Sequence, residues 1–269
     1  MITAVDTPFG PPVEEIPLPG TPLVLALAQV RFPPIVSIET NESFIGTFQE
    51  RIRNEYPVLT PDDEMAVLIG PEGPVERERH RVWRFSQHKG DWQVALTKDF
   101  IALSTNRYTS RADFLERLET LLAAVEETIS PRVCTRLGVR YLDRIINSAH
   151  LARISELVND PIQGAARSSL GGSDVAETHA LSDHLYQLPD ESALHARWGF
   201  LPGGATFDTA IEPAESESWV LDLDAYTTEP TDWSAAVLVD RSRLFSERIY
   251  RYFRWAVTNE FLTEHGGQL

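Results

Sequence analysis

The sequence predicts an α+β protein: a mainly antiparallel sheet with long helices packed on it and, as one reading of the element order, two similar β-rich/helix halves. Three observations carry this expectation. Runs of strand length, apolar or alternating, recur between turn residues. Each half contains strands, a hairpin and then a long stretch of helical apolar spacing. Strands and helices do not alternate strictly, which argues against a parallel, doubly wound sheet.

Residues 1–20 contain Pro8, Pro11, Pro12, Pro17 and Pro19, and are expected as an extended arm, because proline fixes φ and lacks an amide donor. TPLVLALAQVRF, Thr21 to Phe32, reads as a buried strand stopped by Pro33 and Pro34. Phe44, Phe48, Ile52 and Tyr56 recur every fourth residue on one helix face, and Pro57 ends that helix. Residues 61–80 hold the acidic PDDE, an apolar run from Ala66 to Ile69 and the turn GPEGP. RVWRFSQ and DWQVALT flank His88-Lys89-Gly90 as a hairpin, and Phe100 to Ser104 adds a short strand. Ser110 opens a helix, with Asp113 three residues on and an apolar stripe of Phe114, Leu118, Leu121, Leu122, Val125 and Ile129.

Residues 132–146 read as a long strand, followed by a helix over about 150–158. Residues 164–174 are a Gly- and Ser-rich loop, and strands are expected near 180–188 and 193–201. SWVLDLDAY, Ser218 to Tyr226, alternates Leu221 and Leu223 with Asp222 and Asp224. A final helix covers about 239–263. The N-terminal half is thus 21–148 and the C-terminal half 149–269, expected to form one compact body.

The chain has 269 residues, a net charge of -16 and one cysteine, Cys134. So acidic a surface disfavours nucleic acid and anionic lipid. A single cysteine excludes an intramolecular disulfide or a thiolate metal cluster. With no leader-like segment and no apolar run near the roughly 20 residues of a membrane span, the expected location is the cytoplasm, away from membranes.

Against that acidity, RLGVRYLDRI puts Arg136, Arg140 and Arg144 on one strand face, the outer two about 27 Å apart at the standard rise. Gly138 leaves room beside them. They suit carboxylates or phosphates on a groove floor. They equally suit cross-strand pairing with Asp222 or Asp224 on a solvated sheet face, which is the favoured reading. Tyr141 sits on the opposite face.

The last helix carries Tyr250, Tyr252, Phe253, Trp255 and Phe261 beside Arg248, Arg251 and Arg254. Core packing is the first reading of this helix and a protein or oligomer interface the second. Glu177, His179, Asp183 and His184 are metal-ligand types at poor spacing, so no metal and no cofactor are expected. Gly164–Gly172 lacks phosphate-loop spacing, and Gly171–Asp174 is not a nucleophile elbow. Cys134 reads as a small buried residue.

PLVLALAQVRFPP, FIALSTNRYTSRADFLERLETLL, RLGVRYLDRI and SERIYRYFRWAVTNEFL together resemble a sporadically distributed prokaryotic family of about 250-residue proteins of unknown function. Members of that family more often carry Asn where this chain has Asp143. The resemblance implies no reaction. The leading expectation is a non-catalytic binding or accessory protein that recognises a protein or peptide partner, or a second copy of itself, through Arg136, Arg140, Arg144, Tyr141, Tyr252 and Trp255. The alternative is an enzyme acting on an anionic small molecule at the Arg-lined face, with His80 or His195 as acid or base.

Overall fold

The computed structural model describes residues 5–70, 73–163, 179–208 and 211–268, and of 63–70 and 73–80 the backbone alone. In chain order the elements are β1 (Leu23–Arg31), α1 (Ser37–Thr40), α2 (Glu42–Ile52), β2 (Val58–Gly70), β3 (Gly73–Ser86), β4 (Trp92–Leu96), β5 (Phe100–Thr105), α3 (Arg111–Thr128), β6 (Val133–Cys134) and β7 (Arg136–Ile145). There follow α4 (Ser148–Ala152), α5 (Ile154–Leu157), α6 (Asp160–Gln163), β8 (Ala180–Gln187), β9 (Ser192–Leu201), β10 (Ser218–Thr227), β11 (Thr231–Asp232), α7 (Ala235–Ala256) and α8 (Asn259–Glu264).

The architecture is α+β, as the sequence predicts. Nine strands form one antiparallel sheet in the order β2-β3-β4-β5-β1-β7-β10-β9-β8, and β11 pairs with β6 in a small second sheet. Read outward from the centre, β1 is followed by β5, β4, β3 and β2, and β7 by β10, β9 and β8. Each series begins with an opening strand and then takes the later strands in reverse chain order.

The chain divides into two compact units. One comprises Met1–Ala26, Val139–Tyr226 and Arg243–Leu269; the other comprises Leu27–Gly138 and Thr227–Ser242. In the second unit the β3–β4 hairpin turns at Gly90, whose φ of 73° lies in the left-handed region open to glycine. Ser110 caps α3 by accepting from the Asp113 amide at 3.2 Å. Phe114, Leu118, Leu121, Leu122 and Val125 are buried along that helix, and Phe114 packs on Trp92. Phe48 of α2 meets Phe85 of β3 edge-to-face at 5.4 Å.

β2 and β3 form a longer antiparallel pair than the sequence indicates. β2 pairs with β3 from Val58↔Ser86 to Gly70↔Gly73. Pro61 lies within β2, which proline tolerates because β2 is an edge strand.

In the first unit the expected final helix is two helices. Val257 leaves the helix to bridge Val158, the Thr258 amide donates to the Leu157 carbonyl at 3.0 Å, and the Asn159 amide donates to Ala256. Thr258 then caps α8 through the Phe261 amide. The expected helix over 150–158 is likewise split, into α4 and α5 at Arg153. No described helix is long and apolar enough to cross a membrane.

Candidate functional site

Of the arginines on this face of β7, Arg140 enters a part-buried ion network centred on the buried Asp222. Arg140 Nε and Nη2 donate to the two carboxylate oxygens of Asp222 on β10 at 2.7 and 3.0 Å, and Nη1 donates to Asp208 at 2.5 Å. Arg197 on β9 donates to Asp222 Oδ2 through Nε and Nη2 at 3.0 and 2.6 Å, and stacks over Phe207 at 4.5 Å. The Asp222 side chain is 2% exposed and that of Arg140 11%. Burial works against the charge on Arg140, but the hydrogen bonds and attraction of Asp222 and Asp208 outweigh it and raise its pKa. Two cations and two carboxylates thus sum to zero.

The pairing of Arg140 with Asp222 follows the favoured sequence reading, but its setting does not. Leu142, on the same strand face, is fully buried, so the face is covered and not solvated. Asp208 and Glu212, from the segment between β9 and β10, reach Arg140 and Arg144 and tie that segment to the network.

Arg136 and Arg144 differ from Arg140. The Arg136 guanidinium lies over Gly138, where an added Cβ would stand 2.7 Å from Nη1. It therefore fills the space that the glycine leaves. Arg144 Nη1 donates to the Glu212 carbonyl at 2.7 Å, while buried Nε and Nη2 have no acceptor among the described residues. Burial lowers its pKa accordingly.

On the opposite face of β7, Tyr141 is buried and shares a hydrogen bond with Ser246 of α7 at 2.8 Å. Asp143 on that face is only 6% exposed, and burial pushes its carboxyl up to about 7.

The other predicted surface lies along α7, and the N-terminal arm runs across it. The Ile16 amide donates to Tyr250 Oη at 2.7 Å, and Ile16 is buried. Arg251 Nη1 donates to the Pro11 carbonyl at 2.7 Å and Nη2 to Thr7 Oγ1 at 3.2 Å. Phe9 meets Tyr186 of β8 edge-to-face at 5.1 Å and Tyr252 at 6.1 Å. Gly10 has φ 150°, and an added Cβ would lie 2.9 Å from Arg251 Nη2. Tyr252 is fully buried beneath the arm, with burial raising its hydroxyl pKa, and Trp255 packs against it edge-to-face at 5.2 Å. Arg248 turns instead to Asp190, in the β8–β9 connection, and to Ser192 at the start of β9.

His184 stacks on Trp198 at 4.5 Å, and Asp183 contacts His195 Nε2 at 2.6 Å. Among the described residues no group of three or more His, Cys, Asp or Glu is placed to hold a metal ion. Glu177 and the 164–174 loop lie outside the described residues, as does the side chain of His80. Cys134 is buried, and desolvation pushes its thiol up to about 11.

The structure adds residues that sequence reading did not select: Arg197, Asp208, Tyr186, Arg251 as a reader of the arm, and the arm itself. Arg197 and Tyr186 sit on predicted strands, but no local pattern marks either. No family model matches the chain, and no curated protein matches it.

Proposed function

We propose that this is a non-catalytic binding protein that recognises a protein or peptide partner through the α7 surface, and that it works in the cytoplasm. One observation carries the reading: the α7 surface already holds a chain segment outside any helix or strand, bent at residues 8–11. Arg251 takes a backbone carbonyl, Tyr250 takes a backbone amide, and Tyr186 and Tyr252 clasp an aromatic ring. Backbone hydrogen bonds with an aromatic anchor are how peptide-binding surfaces work. Arginine and tyrosine are also the residue types that dominate interface energetics.

The test is affinity capture by the full-length chain from its native lysate at low salt, followed by reconstitution with the purified partner. The reading expects a partner that rebinds in purified form and is lost with Arg251→Ala. Recovery of nothing but the chain itself contradicts it.

A second reading, an enzyme acting on an anionic small molecule, draws on Arg144 alone. Its Nε and Nη2 form the edge that suits a carboxylate or phosphate. Arg140 suits such a ligand less, since Nε, Nη1 and Nη2 each already donate to Asp222 or Asp208 and the two carboxylates oppose a further anion. Stabilisation by phosphate or acetate that Arg144→Gln abolishes would favour this reading; equal effects on both proteins would remove it.

A further inference from the structure

We infer that the cleft formed by Tyr186, Arg251 and Tyr252 is a receptor for a bent, proline-containing partner segment of aromatic-Gly-Pro type, and that the N-terminal arm occupies it as a competitor in cis. This rests on the peptide-binding reading and names the partner's chemistry.

The occupant defines the specificity. Phe9 supplies a ring for the two tyrosines. Gly10 lies against the Arg251 guanidinium in a backbone conformation that side chains disfavour. Pro11 presents the carbonyl that Arg251 takes, and Pro12 continues a stretch whose φ is fixed before binding. A pre-ordered segment loses little entropy on docking, which is why such segments recur as ligands of aromatic clefts.

The arm has two parts that are held differently. Ile16 is buried, and Gly20 donates to the His265 carbonyl at 3.0 Å, so the proximal part is anchored. Residues 9–12 are all exposed, and Phe9 keeps 36% of its surface in water. The distal part therefore lies on the cleft without being enclosed by it. An intramolecular competitor of this kind masks the cleft at its own effective concentration and yields to a better ligand.

The probe is a fluorescent peptide of sequence VDTPFGPPV, matching residues 5–13, titrated into full-length protein and read by anisotropy. Phe9→Ala in the protein weakens the cis competitor while leaving the Ile16 anchor. The peptide is expected to bind this variant at least tenfold more tightly than wild type. Adding Arg251→Ala or, separately, Tyr186→Leu to that variant is expected to abolish the gain. Peptides carrying Ala for Phe9 or for Gly10 are expected to lose binding.

Equal binding to the Phe9→Ala protein with and without Arg251 overturns the assignment, as does no binding to either. A concentration-dependent dimer that the peptide dissolves assigns the cleft to a second copy of the chain instead, and also overturns it. If the peptide fails while a captured partner still depends on Arg251, the binding reading stands and only the partner's chemistry falls.

Discussion

Asp222 accepts from two guanidiniums at once, so the two ends of the network are not equivalent. Asp222→Ala removes the carboxylate partner of Arg197 and two of the three bonds of Arg140, which keeps only Asp208, and breaking a buried pair costs about 3–5 kcal/mol. Arg140→Ala leaves Asp222 still paired with Arg197 and is expected to cost less. Urea unfolding of the two variants checks the order; the reverse order would contradict the network as described. Asp143 makes a separate pH prediction. Its carboxyl ionises at an ordinary 3.8 when exposed and at about 7 in the folded chain. Between those values the native state holds more protons than the unfolded one, so stability falls as pH rises through that window and levels off above it. Asp143→Asn is expected to flatten this slope and to gain on wild type by on the order of 2 kcal/mol between pH 5 and pH 8. Thermal melts at the two pH values decide it, and parallel shifts of both proteins would contradict it. The partnership of Arg140 with Asp222 was legible because strand alternation puts charges of opposite sign on facing strands. Asp208 was not, because it comes from a connection whose path no periodicity encodes.

At the scale of elements, hydrophobic period and turn chemistry located most strands and the α3 cap. The divided C-terminal helix was hidden. VTNEFL keeps helical spacing after Trp255, and the break comes from Asn159, Leu157 and Val158, about 100 residues earlier in the chain. Thr258 holds the junction, accepting from the Phe261 amide and donating to the Glu156 carbonyl at 2.7 Å. Thr258→Ala is expected to destabilise the protein by about 1–2 kcal/mol, more than Thr258→Ser, in denaturant titrations. Equal stability of the two would contradict the cap. The β2–β3 pair was missed because Pro61 and the charged run that follows argue against a strand. An edge position removes the first objection, since one side of the backbone then needs no sheet partner.

For the molecule as a whole, the sequence indicated an α+β class and an excess of acidic charge, but not which surface is occupied. Neither the proline content of the arm nor the aromatic content of α7 says that one lies on the other. That contact joins residues about 240 positions apart, Arg251 to Pro11. Because Cys134 is buried with its thiol held up at about 11, it is expected to resist modification at pH 8 in the native state. Titration with a thiol reagent before and after denaturation checks this, and rapid native labelling would contradict it. The same property opens the most direct measurement of the central claim. A dye on Asp6→Cys, in full-length protein, reports the distal arm while Cys134 stays unlabelled. As the peptide VDTPFGPPV is added, the dye's anisotropy is expected to fall along the peptide's own binding curve, the arm leaving as the ligand arrives. Peptide that binds while the dye's anisotropy stays constant would show that arm and ligand do not share a site.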